Sequence, residues 1–208
     1  MIDLKPACHL MIEVLAGAAD DQLTSSSPCT EYTVGDLIDH VDQVSRGATA
    51  LAHHAAELPG TGTGPDAAHL DPHWRYSVAQ HVRELGEAWD DPAAWQGSAS
   101  VPGSDLSNEM WGKITLTELV VHGWDIAQAT GQPFDPPEHT LQACLAHVAK
   151  FVPNAPVPAL WGPPVDVAPD ATLLNRIVAI TGAPHKAEWL VRRGIDTWYT
   201  GIPGCVGA

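Results

Sequence analysis

Positive charge is scarce in this chain: 10 Lys and Arg stand against 25 Asp and Glu, a formal net charge of −15 over 208 residues. That balance excludes the clustered basic face that a nucleic-acid backbone requires. It also excludes electrostatic docking on an anionic membrane surface. Cysteine is sparse as well. Cys8, Cys29, Cys144 and Cys205 form no C-x-x-C pair. Zinc ribbons, thioredoxin-type centres and disulfide frameworks are therefore set aside, and reduced thiols are expected. No apolar run approaches bilayer length, and no basic n-region with an apolar core opens the chain. The expected location is the cytoplasm. Phenylalanine is nearly absent, with 2 residues against 8 tryptophans. Tryptophan couples a large apolar surface to one donor, which suits pocket walls as well as cores.

What is present is mostly helical periodicity. The hydrophobic fraction of 45% is that of a globular chain. Asp3 to Ala19 carries a stripe of Leu4, Ala7, Cys8, Met11, Ile12, Leu15 and Ala18. Asp20 to Tyr32 is a polar loop. Thr33-x-x-Asp36 resembles a capping box and opens a second helix running towards Glu57. Val34, Leu37, Ile38, Val41, Val44, Ala48 and Leu51 form its apolar face, and His40 lies within that face. After a Gly/Pro/Thr connection, Asp71-Pro72 opens a third helix through Val78, Val82, Leu85 and Trp89. Asp90 to Asn108 is a long link with a short extended piece at Ala99 to Val101. Gly112 to Phe134 reads as one helix, ended by Gly131 as a left-handed cap and by Pro133. Glu138 to Phe151 is a fifth helix, Val152 to Pro169 a proline-rich strap, and Asp170 to Ile180 a short helix. Ala187 to Tyr199 is a last one. The fold class is all-α, a helical bundle. The expected organisation is one domain over residues 1–185 and a C-terminal extension over 186–208.

The fourth helix carries the chemistry. At about 100° per residue, His122 is rotated about 40° and Asp125 about −20° from Glu118, so all three project from one face. A carboxylate and an imidazole at i and i+4 reach a single cation. Two plainer readings stand beside this. Thr115-x-x-Glu118 fits a capping box, and His122 and His40 fit hydrogen-bonded core histidines. The H-E-x-x-H zinc motif is excluded, because only one His lies on this helix. A facing helix would have to complete a site, and His40 is placed to do so. Two imidazoles and one carboxylate are the ligand set of an open catalytic metal site. Asp36 and Asp125 each sit one turn from a candidate ligand, where they could orient an imidazole. Arg83 and Arg75 are candidate anchors for a substrate carboxylate, with surface ion pairs as the plainer reading.

Ser27-Pro28-Cys29-Thr30 through Thr33-Val34-x-x-Leu37-x-x-His40 resembles the first motif of the mycothiol-dependent maleylpyruvate isomerase family, in the DinB-like superfamily. Glu118-Leu119-Val120-Val121-His122-Gly123-Trp124-Asp125 with Ala127-x-Ala129-Thr130-Gly131 resembles the second. Trp161-Gly162-Pro163-Pro164-Val165, Leu174-x-Arg176 and Ala179-x-x-Gly182 are similar to the C-terminal segment of an actinobacterial branch. The resemblance runs from about Leu4 to Pro184. It implies a DinB-like four-helix bundle with a long crossover. It implies a divalent metal, usually zinc, on His40, Glu118 and His122, and mycothiol as thiol cosubstrate. Arg83 and Trp124 are the candidate residues for holding that cosubstrate, although Trp124 suits packing best. The implied chemistry is attack of a metal-bound thiolate on a small-molecule electrophile, as a mycothiol S-transferase or a thiol-dependent cis-trans isomerase. Ten basic residues fit a dianionic substrate poorly. The tryptophans fit a larger, flatter electrophile. The alternatives are a non-catalytic metal-binding or regulatory bundle, and a metal-dependent hydrolase in which Asp125 or Asp36 is the general base. The expected assembly is a monomer or homodimer.

Overall fold

The computed structural model describes residues 1–29, 32–56, 59, 64–101, 104–154 and 164–182. Its helices are α1 (Lys5–Gly17), α2 (Val34–Ala52), α3 (Trp74–Ala88), α4 (Asn108–Thr130), α5 (Glu138–Phe151) and α6 (Leu173–Ile180). Two short strands, β1 (Ser98–Val101) and β2 (Ser104–Ser107), lie between α3 and α4. α1 packs on α3 and α4, and α2 packs on the same two. The pairs α1/α2 and α3/α4 therefore take the diagonals of a four-helix bundle. α5 rests on α4, and α6 on α5.

Local chemistry sets the helix ends. The Thr33 hydroxyl accepts from the Asp36 backbone N–H, and the Asp36 carboxylate accepts from the Thr33 N–H at 2.8 Å. This is the capping box that the T-x-x-D spacing predicts. α2 stops at Ala52, short of the expected Glu57, which lies outside the described residues. α4 ends at Gly131 with φ of 74°, a left-handed cap that glycine adopts without steric cost. α5 has the bounds that periodicity predicts. α3 begins at Trp74, two residues after Pro72, with the Asp71 carbonyl accepting from the Trp74 N–H.

The start of α4 differs from expectation. Ser107 caps it, accepting from the Met110 N–H at 3.2 Å. Thr115 is thus interior, and its hydroxyl donates to the Trp111 carbonyl at 2.9 Å. The Thr115–Glu118 capping box is overturned, which frees Glu118 from a backbone role. The predicted extended piece is one strand of an antiparallel hairpin, with Ser98 opposite Ser107 and Val101 opposite Ser104. The all-α bundle thus carries one small β-hairpin in its long crossover. The expected helix at Ala187 to Tyr199 and the boundary at residue 185 lie outside the described residues.

Packing takes up several of the tryptophans among the described residues. Trp89 is 1% exposed and donates its indole N–H to the Ala48 carbonyl at 3.0 Å. Trp95 stands edge-on to it at 5.0 Å. A Cβ at Gly112 would meet both rings at 2.7 Å, so glycine there lets α4 approach the crossover closely. Trp111 donates to the Ala99 carbonyl and ties the hairpin to α4. No helix among the described residues is long and apolar enough to cross a membrane.

One buried histidine gives a pH-dependent stability. His147 on α5 is 6% exposed, stacks on Phe151, and its Nε2 has no hydrogen-bond partner among the described residues. Burial, helped by the nearby Lys113 charge, pushes its pKa down to about 4. As pH falls below the ordinary value of about 6.5, the unfolded chain takes up a proton that the folded chain refuses. Stability from this group is therefore full above about pH 6.5 and falls between about 6.5 and 4, by roughly 3 kcal/mol. His147→Gln is expected to flatten that part of the melting-temperature profile. Equal slopes for the two proteins would refute the assignment.

Candidate metal centre

α2 and α4 bring the three predicted ligands together. His40 Nε2 lies 3.1 Å from Glu118 Oε2, and His122 Nε2 lies 3.1 Å from the same oxygen. The two imidazoles meet edge to face, with centroids 4.8 Å apart. One donor atom from each of His40, Glu118 and His122 falls within 4.8 Å of the others. The cause is the pitch of the two helices: Glu118 and His122 are stacked one turn apart on α4, and His40 reaches across from α2.

Asp125 completes the arrangement. It is fully buried, and its Oδ2 accepts from His122 Nδ1 at 3.1 Å. That bond occupies Nδ1 and leaves Nε2 facing Glu118, so that Nε2 is the atom left to meet a cation once its proton is lost, which is how a carboxylate fixes the tautomer of a metal-binding imidazole. Burial disfavours charge on His122, but the Asp125 and Glu118 hydrogen bonds and charges outweigh it and raise its pKa to about 9. Burial likewise works against the Glu118 carboxylate, and the two imidazoles overcome it, holding the group far below the ordinary carboxylate range. Without a cation the cluster is held by a proton on His122.

The donor set fits a divalent cation. Ligand distances of about 2.0–2.2 Å place tetrahedral donors roughly 3.4 Å apart, close to the two 3.1 Å separations. A carboxylate-backed imidazole, a second imidazole and one carboxylate are the borderline donors that zinc takes.

Other candidate residues lie elsewhere. Asp36 spends its carboxylate on the α2 cap and on the Ala67 N–H, at 2.8 Å, and does not bond His40. Arg83 is exposed on α3 and donates to Gln80 at 2.6 Å. Trp124 is 4% exposed and packs with Val178, Phe134, Val167 and Leu174 beneath α6. Arg75 pairs with Asp20 at 2.7 Å and lies over the Trp74 ring. The residues bordering the candidate ligands are instead Val41, Val44 and Leu119, which with the triad line a narrow hollow without space for a water molecule. Periodicity marked the two valines as core. Their position one and four residues beyond His40 was the available signal that they flank it.

The family model "Mycothiol maleylpyruvate isomerase N-terminal domain" matches residues 4–127. Uncharacterized proteins from two strains of Mycobacterium tuberculosis are each 31% identical over 126 residues, which is 59% of this chain and 62% of theirs. The chain thus spans less than two thirds of those relatives. Two crystal structures share the fold: the mycothiol-dependent maleylpyruvate isomerase, with a TM-score of 0.54, and a histidine-to-alanine mutant of it, with 0.53. Each is 19% identical and covers 70% of this chain and 68% of its own. With the family model matching more than half of its length, the chain belongs to the mycothiol maleylpyruvate isomerase N-terminal domain family.

Proposed function

We propose that this protein is a mycothiol-dependent enzyme, an isomerase or the closely related S-transferase, working at a divalent metal held by His40, Glu118 and His122. The observation that carries the reading is the meeting of two imidazole Nε2 atoms on one carboxylate oxygen, each at 3.1 Å, in a chain of this family. A divalent cation bound there supplies Lewis acidity that keeps a thiol ionised near neutral pH.

The residues have separable tasks. His40 and Glu118 offer donors from opposite helices. Asp125 orients His122 and takes up its Nδ1 proton bond. The closely packed rings and the aliphatic neighbours limit water around the reacting sulfur. In the isomerisation, the thiolate adds to one alkene carbon and the π electrons move onto the activating carbonyl. Rotation about the new single bond follows. Collapse of the enolate expels the thiolate, so the thiol is regenerated and the product is the trans isomer. A transferase would instead protonate the enolate and release the adduct.

The hydrolase alternative needs a carboxylate free to take a proton from water. Asp36 is committed to the cap and Asp125 to His122, which favours the thiol reading. Elemental analysis of the purified protein, then titration of its cobalt form with mycothiol, tests it. About one metal per chain and a thiolate-to-cobalt charge-transfer band are expected. Metal without any thiol response would refute it.

A linked prediction concerns protons. His122 must give up its Nε2 proton to bind a cation, so affinity is expected to rise about tenfold per pH unit up to about pH 9, where it flattens. Calorimetric zinc titrations in two buffers of different ionisation heat measure the release, expected at about one proton per metal near pH 7. Zero release would contradict the charged state assigned to His122.

A further inference from the structure

α2 turns His40 towards α4, and open space lies along its other flank, against α3. There the turn Ala67–His69 crosses α2. A groove of about 310 Å³ is lined by Asp39, Asp42 and Arg46 from α2, His69 from the turn and His81 from α3. Arg46 and His81 also line a second hollow of about 290 Å³, which continues the groove towards the end of α2. The charges inside are paired. His69 Nδ1 lies 2.9 Å from Asp39 Oδ2, and this bond raises the pKa of the imidazole. Asp42 takes His81 Nδ1 on one oxygen at 2.6 Å and Arg46 Nε on the other at 2.9 Å. Asp71 and Glu84, the further acids at the margin, are exposed and accept from Ser77 and Gln80.

The hydrogen-bonding valences are not paired. Asp39 is 3% exposed, and its Oδ2 takes all three of its donors, from Gln43, the Asp66 N–H and His69. Its Oδ1 has no bond among the described residues and is not sealed off from the groove. A carboxylate oxygen so deeply placed calls for a donor. Arg46 bonds through Nε alone, so its two terminal amines are open among the described residues. Both imidazoles have Nδ1 engaged and Nε2 open. One buried acceptor thus shares a groove with a fork of donors and two ring nitrogens.

We infer that this groove binds a neutral polyhydroxylated ring of sugar or cyclitol size, one hydroxyl donating to Asp39 Oδ1 and another accepting from Arg46. A carboxylate or phosphate would meet Asp39 with no proton to give it and with like charge. An ammonium would serve Asp39 but face the Arg46 guanidinium and leave its amines unmatched. Hydroxyls both give and accept. A ring carries them in fixed directions, so little conformational freedom is lost on binding. The inference is independent of the metal centre, because none of the three candidate ligands lines the groove.

Methyl β-glucopyranoside and myo-inositol are the probes, titrated into the whole chain while the imidazole Cε1–H resonances are followed by NMR. Saturable shifts of His69 and His81 are expected with at least one of them, at a Kd on the order of millimolar. Succinate and putrescine, the anionic and cationic comparisons, are expected to give no saturable shift at either histidine. Arg46→Gln removes the donor fork at a side chain that is 38% exposed, so the fold should tolerate it. It is expected to weaken polyol binding by roughly three- to tenfold. Asp39→Asn keeps the amide oxygen on the three internal donors and turns Oδ1 into an NH2 group. It is expected to weaken binding by about tenfold or more. Should its melting temperature show a damaged fold, Arg46→Gln decides alone. No saturable shift with either polyol, tighter binding of succinate or putrescine, or parental affinity in Arg46→Gln overturns the inference.

Discussion

His40→Ala and His122→Ala are each expected to lose most bound metal, but they should differ in what they do to the metal-free fold. Removing one of three protein ligands costs more than the roughly 10–100-fold in affinity that follows loss of an outer partner. His40 keeps 29% of its side chain exposed and, among the described residues, its side chain hydrogen-bonds Glu118 alone. Its truncation leaves Glu118 with His122, so the melting temperature without metal should hardly move. His122 lies between Glu118 and the fully buried Asp125. Its loss leaves two carboxylates without their shared cation, a defect that costs on the order of 3–5 kcal/mol in buried settings. Circular dichroism should show near-parent helix content for both variants at room temperature, because none of the three side chains belongs to the apolar core that holds the helices together. Chelator competition with a zinc indicator gives the affinities. If both variants retained stoichiometric zinc at parental affinity, the ligand assignment would be wrong.

The two variants also show which parts of the site a sequence can reveal. Glu118, His122 and Asp125 lie on one helix, where spacing alone fixes their relative direction, so their common face was legible. By periodicity alone the second histidine of the candidate site, His40, was legible only as a residue on an apolar stripe, and it was the family motif that marked it as a ligand. Its partner sits 78 residues away, and helix packing, not local spacing, brings them to 3.1 Å. Local signals worked where one residue type dominates the energetics. Gly131 adopts the left-handed conformation, and Thr33 with Asp36 closes the capping box. They failed where two local solutions compete. Thr115-x-x-Glu118 and Ser107 both suit a helix start, and Ser107 prevails because the helix extends back to Asn108 and covers the tryptophan cluster. Arg83 stands out in the sequence by the scarcity of basic residues, and Asp36 by its spacing of one turn from His40. One points outward, and the other is saturated by backbone donors. Pairs such as His69 with Asp39, at 2.9 Å, and His81 with Asp42, at 2.6 Å, left no trace in the spacing, since each joins separate elements.

Asp125→Asn should be the most informative single change, because it keeps the shape of the side chain and removes its charge. Asp125 would act through its bond to His122, as a positioning residue. The amide oxygen can still accept the Nδ1–H bond, but the imidazole becomes a weaker base and a poorer donor to a cation. Metal affinity is expected to fall by roughly 10–100-fold. Asp125→Ala, which also leaves Nδ1 unpartnered and opens a cavity, should fall further and lose about 2–4 kcal/mol of stability. A purely structural Asp125 would give the stability loss without moving metal affinity in the isosteric variant. The pH profile separates these cases again. In the metal-free protein, His122 has a folded pKa raised to about 9, with Asp125 named among the groups that raise it. Its stabilising contribution is complete below about pH 6.5 and is lost as pH rises through about 9. With the neutral amide in place, the folded value drops towards the ordinary one and that alkaline loss shrinks. Melting temperatures of metal-free parent and Asp125→Asn from pH 6 to 10 should therefore converge as pH rises. Curves that stay parallel across that range, with unchanged metal affinity, would remove Asp125 from the site.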